Sequence, residues 1–121
     1  MFFLFFAMVC AVTTPKQAFL ASEAVFTGIV ISVEQSPDRI DTLVNLRVTR
    51  AWKGRPSRIT TLRLSPGFDD GSIEWKQGQE FLIYTTLDRD KKSLTTSSCL
   101  RTALVKYAAE DLKFLGPSRK P

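Results

Sequence analysis

No histidine occurs anywhere in this chain. That excludes Ser-His-Asp and Cys-His catalytic arrangements, and any metal site built on imidazole, from this polypeptide. Cysteine is nearly as scarce. Cys10 and Cys99 are the two present, too few for a structural zinc site and not a Cys-x-x-Cys redox pair. No phosphate-binding loop is present, and Ser97 and Ser98 have no visible base beside them. The carboxylates Asp69, Asp70 and Glu74 fall on one loop, but Asp-Asp-Gly is ordinary turn chemistry without the ligand spacing of a calcium loop. The sequence therefore predicts a protein that is not an enzyme, with no cofactor and no intrinsic metal. Long apolar runs are limited to Met1–Val12, twelve residues where a membrane span needs about 20. No internal repeat is visible.

What is present fits one domain of 121 residues, expected as a monomer. The net charge of +5 favours solubility and a weak attraction to polyanions without naming a partner. The apolar start has the length of a secretory signal core, lacks a basic leading region, and is read as a signal clipped by the start; a buried first strand is the alternative. Thr14 can cap a short helix with Pro15 in its first position, ending near Ser22.

The stretch Ala24 to Gly54 reads as two long antiparallel strands joined at Gln35-Ser36-Pro37-Asp38-Arg39. In the first, Val25, Ile29, Ile31 and Val33 share one phase, with Phe26 and Val30 on the other. In the second, Val44, Leu46, Val48 and Trp52 alternate with polar or small residues. Gly28 permits a bulge or sharp coil. Arg58–Leu64, Glu80–Leu87 and Ser93–Cys99 supply three further strands, the nearly all-apolar Glu80–Leu87 being central. Between them runs a turn-rich loop, Ser65–Gln79, whose Phe68, Ile73 and Trp75 are candidate contact residues or, as is commoner for such loops, side chains folded back onto the barrel, and the charged turn 88–92. Thr102–Leu115 has the spacing of an amphipathic helix with Thr102 as cap, Asp111 as the one polar residue on its apolar face, and Gly116-Pro117 as a stop. The predicted fold is mainly β: a five-stranded OB-type Greek-key barrel with a short N-terminal helix and a C-terminal amphipathic helix. Residues 1–9 form the signal-like segment, 10–116 the barrel domain and 117–121 a disordered tail.

Several spaced pieces carry a resemblance. They are QAFxxSE at Gln17–Glu23, VFxG at Val25–Gly28, Trp52-Lys53-Gly54, GQEFLIY at Gly78–Tyr84, and LTTSSC at Leu94–Cys99. In this order the chain resembles the netrin-like domain of the tissue inhibitors of metalloproteinases, and most of all the family's small bacterial and invertebrate members. The resemblance implies a secreted or periplasmic OB barrel. Inhibitors of the family begin Cys-x-Cys, each cysteine paired with a distant one. Aligned on QAF, the second cysteine falls on Cys10 and the first on Met8. Cys99 then stands where Cys10's partner belongs, and the loop that would hold the other partner has no cysteine. The resemblance thus implies a Cys10–Cys99 disulfide in an oxidising compartment.

It also implies a mode of action. The family's α-amino group and carbonyl chelate a protease zinc, and the next side chain fills the specificity pocket. Cleavage after Ala7 would present Met8 as the chelating residue and Val9 as the pocket residue, with Cys10 and Ala11 following and Phe68, Asp69, Asp70 and Trp75 lying alongside. The expected partner is a metalloproteinase. A general extracytoplasmic binding role without inhibition is the alternative. Single-stranded nucleic acid is the remaining OB-fold reading, suggested by Arg47, Arg50, Lys53, Arg55, Arg58 and Arg63. With Trp52 the one aromatic among them, no stacking platform accompanies the charge, and nucleic acid is not expected.

Overall fold

The computed structural model describes residues 14–65, 73–88 and 92–119. Thr14 caps the first helix as expected. Its hydroxyl accepts from the Gln17 N–H at 3.1 Å, and Gln17 Oε1 accepts from the Thr14 N–H at 3.2 Å. This reciprocal box starts α1 (Pro15–Ala21). Five strands follow: β1 (Ala24–Gln35), β2 (Thr42–Lys53), β3 (Ile59–Leu64), β4 (Glu80–Leu87) and β5 (Leu94–Thr95). Their order is β1-β2-β3-β5-β4, and β4 returns to pair with β1, so the sheet closes. Every neighbouring pair is antiparallel except β3–β5. The chain is a closed five-stranded barrel, consistent with the OB type.

Closure needs strong coiling, and β1 supplies it. Its pairing with β2 is irregular between Val25 and Phe26, between Thr27 and Gly28, and between Val30 and Ser32. Such breaks bend a strand and raise its twist. A Cβ on Gly28 would come within 3.2 Å of the Leu46 Cβ, so the close approach of β1 and β2 there relies on the missing side chain. The same irregularities overturn two expectations about faces. Ile31 occupies the break, so Val33 does not share its phase; Val33 pairs with buried Val44 near the end of β1, where it is itself 45% exposed. In β2 the break passes over Thr49. Val48 and Ala51 both belong to the barrel core, and Trp52 turns outward to the second cluster.

The barrel interior is filled by Phe26, Val30, Leu46, Leu62, Phe81 and Ile83 with smaller neighbours. A second apolar layer lies outside it, where Val25, Leu82 and Tyr84 meet Ala18 of α1 and Ala108. β4 is thus buried on both faces, which is why its sequence does not alternate.

The C-terminal third departs from expectation. Ser93–Cys99 is not a continuous strand: only Leu94–Thr95 pair, and a 3-10 turn takes over at Ser98–Leu100. The helix expected over Thr102–Leu115 shrinks to α2 (Ala109–Leu115), preceded by the short strand β6 (Ala103–Leu104) and a 3-10 turn at Val105–Tyr107. The cause is β4. Thr102 does not cap a helix; its hydroxyl accepts the Tyr84 N–H at 2.9 Å, and Leu104 pairs with Phe81. A strand partner for exposed main-chain groups of β4 outweighs helical spacing. The predicted stop holds, with Gly116 at φ 69° capping α2. The tail was expected to fray from Pro117, yet Arg119 exchanges main-chain hydrogen bonds with Ala51 at 3.0 and 2.7 Å.

Gly54 ends β2 with φ +72°, and a Cβ there would sit 2.8 Å from the Ala24 Cβ and 2.9 Å from the Glu23 carbonyl oxygen. Gly54→Ala is expected to cost roughly 2 kcal/mol or more, from left-handed backbone strain added to a collision with main chain. A urea denaturation midpoint measures it.

Candidate functional site

Most of the predicted contact surface lies outside the described residues: Met8, Val9, Cys10, Ala11, Phe68, Asp69 and Asp70. Cys99 and Trp75 are within them.

Trp75 folds back onto the barrel. Its ring lies 4.5 Å from that of Phe81 at a 40° tilt, and with Ile73 it packs against the core. Its buried Nε1 has no hydrogen-bond partner among the described residues. The distal end of the long loop is therefore a packing segment. Trp75→Ala is expected to cost about 2 kcal/mol, the cost of truncating a half-buried aromatic. A contact residue would leave thermal unfolding unchanged, so a melting curve separates the two roles.

Cys99 is half-buried in the 3-10 turn that follows β5. The next residue, Leu100, packs against the same outer cluster as Ala18 and Phe19 of α1. The turn carrying Cys99 and the helix reached from Cys10 are thus held by one set of apolar contacts.

Among the described residues, the densest electrostatic cluster is structural. Asp111, 3% exposed, receives the Tyr84 hydroxyl at 2.6 Å and the Arg101 guanidinium at 2.8 and 2.7 Å. Burial alone would push the Asp111 carboxyl up. The hydrogen bonds from Arg101 and Tyr84 and the positive charge of Arg101 outweigh it and hold the group below the usual aspartate range. Burial and the same carboxylate push the Tyr84 phenol up. Two threonines complete the network: Thr96 donates to the Tyr84 carbonyl at 2.6 Å, and Thr102 lies 2.7 Å from Thr96. The one polar residue on the predicted helix face is thus the anchor of that helix.

The arginine-rich run divides into two groups. Arg50 stacks over Trp52 at 5.2 Å, Lys53 donates to the Phe19 carbonyl at 2.7 Å, and Arg63 pairs with Asp41 at 2.9 Å. Arg47, Arg55 and Arg58 are exposed. They border two depressions along β3, one of about 530 Å³ lined by Leu43, Arg55, Ile59, Arg63, Lys92 and Leu94, the other of about 350 Å³ between Arg47, Val48, Arg58 and Ile59. Sequence reasoning registered the arginines but missed the groove. The available signal was Ile59, an apolar residue in the outward phase of β3.

Among the described residues no helix is long and apolar enough to cross a membrane. No protein-family model matches the chain, and no curated protein matches it.

Proposed function

We propose that this chain is an extracytoplasmic, non-catalytic protein-binding barrel of the metalloproteinase-inhibitor-like kind, closed by a Cys10–Cys99 disulfide. The observation that carries the reading is how the five spaced sequence pieces meet. Phe19 from QAFxxSE, Val25 from VFxG, Trp52 from the WKG piece, and Leu82 and Tyr84 from GQEFLIY belong to one outer cluster. Thr96 from LTTSSC bonds to Tyr84, Lys53 to Phe19, and Gly54 abuts Ala24. Residues from all five pieces thus interlock in the fold. They build the platform that would hold an N-terminal wedge.

The length of chain before α1 is compatible with the disulfide. Cys10 precedes the Thr14 cap by four positions, a span of up to about 14 Å when extended, and α1 shares its packing with Leu100 beside Cys99. There is no free cysteine among the described residues. With Met8 as the mature first residue, its neutral α-amino group and carbonyl would meet a protease zinc, the amine titrating near pH 8. Val9 would enter the specificity pocket.

Intact mass and N-terminal sequencing of protein recovered from its native host test this directly. The expected result is a chain starting at Met8, two hydrogens lighter than its reduced form, that inhibits a zinc metalloproteinase in a peptide-cleavage assay. A start upstream of Met8 or a blocked amine removes the wedge mechanism and leaves a barrel that binds by another surface.

A further inference from the structure

The groove along β3 uses none of the wedge residues and points to a second binding surface. β3 pairs with β2 along its whole length, from Arg47↔Ile59 to Thr42↔Leu64. Its other edge pairs with β5 at a single position, Leu62↔Leu94, among the described residues. The seam between β3 and β5 therefore opens toward Ile59, and the 530 Å³ depression lies over that opening. The 350 Å³ depression shares Ile59 with it, so the two lie on either side of one exposed apolar side chain, 52% accessible.

Charge and polarity restrict the occupant. Arg47, Arg55, Arg58, Arg63 and Lys92 line the two depressions, and no carboxylate does among the described residues. Asp41 stands beside them, paired with Arg63 at 2.9 Å. Between the cations lie Leu43, Ile59 and Leu94, and among the described residues no aromatic side chain lines either depression. A single nucleic-acid strand needs stacking platforms and would find none, and a sulfated glycan has no use for three aliphatic contacts. An extended acidic polypeptide uses every feature. Its main chain would add along the part of β3 that β5 does not pair among the described residues, alternate side chains would enter aliphatic contacts, and the remaining ones would meet arginine.

We propose that the seam between β3 and β5 binds an extended polypeptide segment of alternating acidic and aliphatic residues by strand addition to β3. The probe is a blocked synthetic peptide, Glu-Leu-Glu-Leu-Glu-Leu, titrated into the full chain by calorimetry at 50 and 300 mM salt. Amide spectra taken alongside locate the response. The expected result is saturable binding that weakens with salt and shifts the amides of Ile59–Leu64. Arg55→Glu and Ile59→Asp, both at exposed positions, should each weaken it at least tenfold. Methylating alternate peptide nitrogens should abolish it, because strand addition needs their hydrogens. Four results would overturn the proposal: no saturable binding, equal binding of hexaglutamate, equal or tighter binding of an oligothymidylate or a heparin fragment, or indifference to Ile59→Asp. None of these outcomes depends on a protease or on the mature N-terminus, so they stand apart from the inhibitor reading.

Discussion

Replacing Asp111 by Ala is expected to destabilise the protein by about 3–5 kcal/mol, the range for breaking a buried charge pair from one side. The carboxylate is 3% exposed, and three hydrogen bonds reach it. Without it the Tyr84 hydroxyl loses its acceptor, and Arg101 loses the buried carboxylate that lies 2.7 Å from its guanidinium. Arg101 also holds φ at +74°, a left-handed conformation that its pairing helps to maintain. The loss should appear as a lower urea midpoint at neutral pH. The damage should be greatest at the packing of α2 on β4, because Asp111 ties Tyr84 on the barrel to Arg101 and α2.

The same carboxylate makes stability depend on pH. An unfolded chain binds this proton near pH 3.9. In the folded protein Asp111 binds it at lower pH, because Arg101 and Tyr84 favour the ionised form more than burial opposes it. Where the unfolded state binds more protons, stability rises with pH. The contribution is therefore complete above about pH 4 and is lost as pH falls through the lower folded value. Asp111→Asn should flatten that acid limb in a series of urea midpoints between pH 7 and pH 2. An acid limb unchanged by the substitution would assign it to other carboxylates.

Cys99→Ser is expected to have the second large effect, about 4 kcal/mol, on the proposal that Cys99 bonds Cys10. The cross-link would join positions 10 and 99, a loop of nearly ninety residues, and cross-linking so long a loop restricts the unfolded chain most. Reductant should lower the melting temperature of the wild-type chain to that of Cys99→Ser and leave the variant unmoved. Equal melting of all four samples would remove the disulfide and, with it, the anchor of the N-terminal wedge.

The sequence by itself determined the elements whose causes are local. Thr14 and Pro15 start a helix because cap and first turn lie within three residues of each other. Ser36-Pro37-Asp38-Arg39 turns because its side chains bond their own main chain: the Ile40 N–H donates to Asp38 at 3.0 Å, the Asp41 N–H to Ser36 at 3.1 Å. Two long alternating strands, a central apolar strand and a glycine at the bend were enough to predict a closed barrel, since alternation and run length record how many faces of a strand are buried. Tertiary structure alone decided what depends on distant partners. The breaks in the β1–β2 pairing put Ile31 and Trp52 out of the expected alternation because the strands must coil for β1 to close on β4, and a period of two cannot show where that coil slips. Thr102 left its helix for the Tyr84 N–H, eighteen residues away in sequence. Asp111 reads locally as a flaw in an apolar stripe, and it becomes an anchor only when folding brings Arg101 and Tyr84 to it. The groove at Ile59 arises where two strands part, and no single stretch of sequence contains both.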